Sequence, residues 1–94
     1  MSFKLTIIIP VYNEVDTLEE IVTIVQNVKL QKGIKKEIII VDDYSTDGTQ
    51  DVLKTLKHEN IKIIFHSENQ GKGAALKTGI QQASGDYIII QDAD

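Results

Sequence analysis

Short continuous apolar runs alternate along the chain with longer stretches in which apolar positions recur at helical spacing. Leu5 to Ile9 is an unbroken apolar run closed by Pro10, the pattern of a strand buried on both faces. Asp16 and Glu19 form a capping pair ahead of a helix whose stripe is Leu18, Ile21, Val22, Val25 and Val28, with Gly33 marking its exit. Ile38 to Val41 predicts a second buried strand, after which Asp47 and Gln50 cap a shorter helix with Val52, Leu53 and Leu56 inward. Ile61 to Phe65 supplies a third strand. The polar turn Ser67 to Gly73 then leads into a helix with Leu76, Gly79, Ile80 and Ala83 on one side, stopped by Gly85. Tyr87 to Ile90 is a fourth strand that runs into Gln91-Asp92-Ala93-Asp94.

This βαβαβαβ order carries no internal repeat or linker and predicts one α/β domain. Its continuous apolar strands call for a parallel sheet between two helical layers, joined by right-handed crossovers. The expected strand order is 3-2-1-4. That order places a topological switch between the first and fourth strands, and ligands collect beyond the carboxyl ends of strands at such a point.

Composition narrows the chemistry. An apolar fraction of 41% over 94 residues suits a single modest core. No apolar run approaches the ~20 residues needed to cross a bilayer and no basic-then-apolar leader opens the chain, so a cytoplasmic protein is expected. The absence of cysteine removes disulfides and thiolate metal sites, leaving oxygen or imidazole ligands and favouring Mg²⁺ or Mn²⁺ over zinc. A formal charge of -4, from 14 acidic and 10 basic residues with no arginine, argues against a nucleic-acid partner.

Every unusual polar cluster follows the carboxyl end of a predicted strand: Pro10 to Glu14, Asp42 to Asp47, Gly71 to Gly73, and Asp92 to Asp94. Asp and Gly are common in turns, yet one ligand at the switch point explains all four clusters together. Asp92 and Asp94, two residues apart on an extended segment, point to the same side and can reach one divalent cation; a solvated strand end is the plainer alternative. Gly71-Lys72-Gly73 opens a helix, where free N–H groups and a lysine favour a phosphate, or it is simple glycine punctuation. It has neither the Walker A spacing nor that of a dinucleotide fingerprint. Of Asp42 and Asp43, alternation sends one to the rim, to accept from a base N–H or ribose hydroxyl, and leaves the other bonding loop backbone; an Asx turn is the competing reading. Tyr12 offers a flat surface to a nucleobase, or is an ordinary half-buried tyrosine, and Glu14 places a carboxylate nearby. His58 and His66 are read as surface or strand-end residues, since nothing spaces them as ligands or as a base.

Taken in order, Ile9-Pro10-Val11-Tyr12-Asn13-Glu14, Val41-Asp42-Asp43 through Thr49, Asn69-Gln70-Gly71-Lys72-Gly73-Ala74-Ala75 and Gly85-Asp86-Tyr87 through Asp94 resemble the family-2 glycosyltransferases over the whole chain. The Gly-Lys-Gly and Asp-Ala-Asp elements are most similar to the branch of dolichyl-phosphate mannose synthases and polyprenyl-phosphate glycosyltransferases. The resemblance implies a truncated GT-A fold, a Rossmann-like three-layer sandwich, with residues 1–94 as the N-terminal nucleotide-sugar-binding part and the acceptor-binding half absent. It further implies metal-dependent, inverting transfer of a sugar from a UDP- or GDP-linked donor to an acceptor such as a polyprenyl phosphate, with Mg²⁺ or Mn²⁺ as cofactor. Pro10, Tyr12, Glu14 and Asp43 then line the nucleoside pocket, Lys72 lies near it or the diphosphate, and Asp92 and Asp94 form the metal motif. Tyr44 stands where the family commonly has glycine. No catalytic base is identified in this stretch, so the piece alone is expected to be inactive and, with sheet edge exposed, to self-associate. The full-length parent is expected at the cytoplasmic face of a membrane. A noncatalytic nucleotide-binding module, which needs no metal pair, is the alternative from another class. A phospho-acceptor regulator is disfavoured because Ile9-Pro10 and Phe65-His66 occupy the places of its acidic residues.

Overall fold

The computed structural model describes residues 3–31, 33–56 and 58–93. Its strands are β1 (Phe3–Val11), β2 (Ile34–Asp42), β3 (Ile61–Phe65) and β4 (Tyr87–Ile90), all parallel, in the order β3-β2-β1-β4. Between them run α1 (Leu18–Asn27), α2 (Thr49–Thr55) and α3 (Lys72–Gln82). The architecture and strand order are those predicted.

The period of two along each strand sorts the layers. Ile7, Ile9 and Val11 of β1 join Ile38 and Ile40 of β2 on one face, against Leu18, Val22 and Val25 of α1 and Leu53 of α2. Ile39 and Val41 point the other way and pack with Ala75 of α3. Gly79 lets α3 settle onto β1, since a Cβ there would come within 2.6 Å of Ile8 Cγ2.

The strands extend beyond their apolar centres. β1 and β2 stay in register from Phe3↔Ile34 to Val11↔Asp42, because ladder hydrogen bonds are backbone bonds and continue through Lys35 to Glu37. Pro10 does not end β1. β4 pairs only with Leu5 to Ile8, and Gln91 adds one N–H bond to the Ile8 carbonyl. Pro10 lies past that last contact, where its missing N–H leaves no ladder bond unmade.

Several element ends differ from expectation. Thr17, not Asp16, occupies the N-cap of α1, without a side-chain cap bond. Val28 is extended and half-exposed, outside the helical stripe, and Gly33, with φ 93°, belongs to the turn into β2. Gln50 does not cap α2 but donates to Asp42 Oδ2 at 2.9 Å. Ile80 faces outward. β4 is not buried: its four residues are 42 to 63% exposed, because it is an edge strand that no described helix covers.

The connection from α3 to β4 is fastened to the sheet by polar groups. Glu37 Oε1 accepts from the Thr6 hydroxyl at 2.9 Å and the Ser84 N–H at 3.1 Å, and its Oε2 accepts from the Ser84 hydroxyl at 2.8 Å, with Lys4 Nζ at 3.1 Å. Thr6 Oγ1 accepts in turn from the Gly85 N–H at 2.9 Å. Gly85 therefore does not stop α3, which already ends at Gln82; it fits a close approach. A Cβ at Gly85 would lie 2.5 Å from Thr6 Oγ1, 2.8 Å from Thr6 N and 2.9 Å from the Lys4 carbonyl oxygen.

Two expectations follow from this fastening. Gly85→Ala meets backbone that cannot rotate away and should lower the stability measured by urea unfolding by about 2 kcal/mol, the range of overpacked sites. Burial raises the Glu37 carboxyl, but bonds from Ser84, Lys4 and Thr6 outweigh it and hold its pKa at about 2, against 4.5 ordinarily. A depressed folded pKa stabilises above the unfolded value and ceases to do so as pH falls through the folded one. Glu37 should thus contribute roughly 2–3 kcal/mol at neutral pH that is lost progressively between about pH 5 and pH 2. In Glu37→Gln, urea unfolding across that window should show a flatter acid limb, the remaining fall belonging to Asp43 and Asp47, whose carboxyls are also held low.

Candidate functional site

β1 pairs with β2 as far as Val11 and with β4 only as far as Ile8, so the two sides of β1 diverge at its carboxyl end. A cleft of about 460 Å³ opens there, within the size range of small-molecule sites. Pro10, Tyr12, Glu14, Asp43, Lys72 and Asp92, the residues singled out from the sequence, all line it. Asp94 lies outside the described residues. A hollow of about 790 Å³ beside α1, near His58 to Asn60, contains none of them.

The Asp42-Asp43 pair divides as alternation requires. Asp42 is fully buried on the α2 side, its Oδ2 accepting from the Ser45 N–H at 3.0 Å and from Gln50. Asp43 turns to the α3 side and the cleft. Its Oδ1 lies 2.9 Å from His66 Nδ1 and accepts from the Gln70 N–H at 2.9 Å; its Oδ2 accepts from the Gly71 N–H at 2.8 Å. Burial pushes this carboxyl up, and the Gln70 N–H, the His66 ring and the Gly71 N–H outweigh it, holding Asp43 below the usual carboxylate range.

His66, read as a surface or strand-end residue, does follow the end of β3 but is not at the surface: it is 9% exposed, with Nε2 2.8 Å from the Thr78 hydroxyl of α3. The signal was its place directly after β3, on the same strand face as Ile64, which packs against the α3-side core. Spacing in sequence could not show it, because Asp43 and Thr78 reach it through the fold.

The β1–α1 and β2–α2 loops are stitched together by side chains that read only as turn residues. Ser45 Oγ accepts from the Asn13 N–H at 2.9 Å, Asn13 Oδ1 from the Thr46 N–H at 2.7 Å, Thr49 Oγ1 from the Glu14 N–H at 3.1 Å, and Asp47 Oδ2 from the Val15 N–H at 3.2 Å. Asp47 Oδ1 also takes the Thr49 N–H at 3.0 Å and the Thr49 hydroxyl. Asp47 is therefore a structural acceptor away from the cleft. Tyr44 adopts φ 65°, a left-handed conformation, which accounts for a preference for glycine at that place.

On the far wall, Ala93 packs into the larger core and its carbonyl lies 3.1 Å from the Thr17 hydroxyl, anchoring the segment that carries Asp92. The Asp92 carboxylate is ion-paired with the Lys72 ammonium from the start of α3, whose N-cap is Gly71 with φ 95°. Among the described residues no three His, Asp or Glu side chains gather as a metal cage. A magnesium-like ion needs only one or two carboxylates when diphosphate oxygens and water complete its shell. Asp92, a hard-oxygen ligand already beside a positive charge, fits that donor set.

The sequence profile of the family described as Glycosyl transferase family 2 matches residues 6–94. The chain belongs to that family. It is 43% identical over 91 residues to poly-beta-1,6-N-acetyl-D-glucosamine synthase of Staphylococcus aureus, covering 96% of this chain and 21% of that protein, about a fifth of its length. Among solved structures, Mannosyltransferase PcManGT from Pyrobaculum calidifontis, in complex with GDP-Man and Mn²⁺, superposes with a TM-score of 0.81 at 30% identity, over 100% of this chain and 28% of that one. S. aureus TarS 1-349 in complex with UDP-GlcNAc gives a TM-score of 0.82 at 26% identity, over 97% and 26%. The parallel sheet of order 3-2-1-4 is shared with these glycosyltransferase structures, two of which hold the nucleotide sugars GDP-Man and UDP-GlcNAc.

The stitching between loops yields a prediction that separates it from donor chemistry. Asp47→Ala removes the acceptor of two backbone N–H groups and should lower stability in chemical unfolding by about 1–2 kcal/mol. Asp51→Ala, exposed in the first turn of α2, should change it by less than about 0.5 kcal/mol.

Proposed function

We propose that residues 1–94 form the donor-binding part of a metal-dependent, inverting glycosyltransferase whose donor is a UDP-linked sugar, with an N-acetylhexosamine as the favoured sugar. The observation that carries this reading is the single cleft that brings Pro10, Tyr12, Glu14, Asp43, Lys72 and Asp92 together from distant parts of the chain. In it, Tyr12 faces the base, Asp43 accepts a base N–H, and Lys72 and Asp92 flank the diphosphate. Mg²⁺ or Mn²⁺ held by Asp92 and Asp94 would stabilise charge on the diphosphate as the bond to the anomeric carbon breaks.

The base follows from the Asp43 bonds. Oδ1 already accepts two hydrogens and Oδ2 one, leaving a single acceptor direction among the described contacts. Uracil offers one N–H between two carbonyls and needs one acceptor, whereas the N1–H and N2–H edge of guanine is best met by both oxygens of a carboxylate. The names of the relatives bound to UDP-GlcNAc or making poly-N-acetylglucosamine support the same choice. They favour a glycan acceptor over a polyprenyl phosphate. Asp43, bonded to His66, and Asp92, paired with Lys72, serve the donor, and deprotonation of an acceptor hydroxyl is assigned to residues beyond this part of the enzyme.

Calorimetric titration with UDP and GDP, with and without Mn²⁺, tests the reading. UDP should bind more tightly than GDP, Mn²⁺ should strengthen UDP binding by about tenfold or more, and Asp92→Asn should abolish most of that gain. UDP binding indifferent to both Mn²⁺ and Asp92→Asn would instead make the chain a noncatalytic nucleotide-binding module.

A further inference from the structure

His66 is buried beside the cleft, where the ends of β2 and β3 meet α3. β3 ends in register with β2 at Asp42↔Phe65, and the His66 N–H donates to the Asp42 carbonyl at 2.8 Å, so His66 and Asp43 are neighbours across the two strands. Their side chains are 7% and 5% exposed. On the other side, Thr78 of α3 meets Nε2. One ring thereby links the end of β2, the end of β3 and the body of α3, while the same Asp43 carboxylate holds the N–H groups of Gln70 and Gly71 at the start of that helix.

We propose that His66 is a positioning residue of the donor site: its Nδ1–H locks the Asp43 carboxylate so that Oδ2 presents one open acceptor direction to the cleft. This role rests on the donor-site reading above. The argument is one of valence and geometry. An ionised carboxylate can only accept, so Nδ1 must carry hydrogen; in the neutral ring Nε2 is then the acceptor, and the Thr78 hydroxyl donates to it. The Gln70 and Gly71 N–H groups reach the two oxygens from the loop between β3 and α3. The His66 bond comes instead from the end of β3 and gives the carboxylate a third point of attachment. Without it the carboxylate keeps only its two loop N–H bonds, and the direction of its open acceptor is less well defined.

Two substitutions divide the ring into its halves. The amide nitrogen of His66→Asn reaches the place of Nδ1 and keeps the donor to Asp43, whereas that of His66→Gln reaches the place of Nε2 and loses it. With UDP as the probe, His66→Gln should weaken binding by about tenfold, the scale of a lost bond to a charged group, and His66→Asn by no more than about threefold. Both variants lose the full ring, so a merely structural histidine would make them melt alike and leave UDP affinity alike in the folded protein. Nitrogen-15 NMR of the ligand-free protein should show the Nδ1–H form, with Nε2 unprotonated. The Nε2–H form, or equal UDP affinities for the two folded variants, would overturn the role of His66 while UDP binding by the unaltered protein stood. Absence of UDP binding by the unaltered protein would defeat the donor-site reading itself, and this role with it.

Discussion

The unequal pairing of β1 shapes everything else in the molecule. On one side it bonds to β2 along its whole length; on the other it bonds to β4 only through Leu5 to Ile8. Parallel strands need crossovers, and right-handed crossovers that run first to one side of β1 and later to the other put α1 and α2 on one face and α3 on the opposite one. At the carboxyl end of β1 no element among the described residues fills the gap between these two directions of winding, so the backbone opens into the cleft. Pro10 sits at the point of divergence, the one place in a central strand where a residue without an N–H costs no ladder bond.

The walls of the cleft are kept in place by side chains outside its lining. Ser45, Asn13, Asp47 and Thr49 do this between the first two loops, and Thr17 with the buried Ala93 does it for the segment carrying Asp92. At the other end of the sheet, Glu37 and Thr6 fasten Ser84 and Gly85 and so fix where β4 begins. Buried polar groups of this kind are satisfied almost completely. Asp42 Oδ1 is the one buried side-chain oxygen without a partner among the described residues.

How much of this could be read from the sequence depended on whether a side chain or the backbone decides the feature. The apolar centres of β1 and β2 and the strand order were legible because burial on both faces demands unbroken Ile and Val. The strand ends were not, since the ladder continues through Lys35 and Lys36 regardless of polarity. β4 reads like a buried strand because Tyr87 to Ile90 is apolar, but apolar composition does not reveal that it lies at the edge of the sheet, which only the strand order decides. The rim residues were legible as a set because turn propensity alone does not explain four acidic or glycine-rich clusters all following strands. His66 was not, because a single histidine carries no period. Asp47 was visible as an acidic residue, but its role as a fastener depended on the neighbouring loop, which only the fold brings near.

Asp43 and Asp92 face the same cleft and are held in opposite ways. Asp43 is almost wholly buried and bonded from three directions, so its orientation is fixed before anything arrives; that suits an acceptor meant to recognise one N–H by direction. Asp92 is half-exposed and, among the described residues, is paired with a lysine of similar exposure. An ion pair in that setting contributes at most about 1 kcal/mol, so little resists its exchange when a more highly charged partner enters. A rigid acceptor at one end of the cleft and exchangeable charge at the other are both consequences of depth: the sheet reaches Asp43, whereas the segment after β4 carries Asp92 out beyond it.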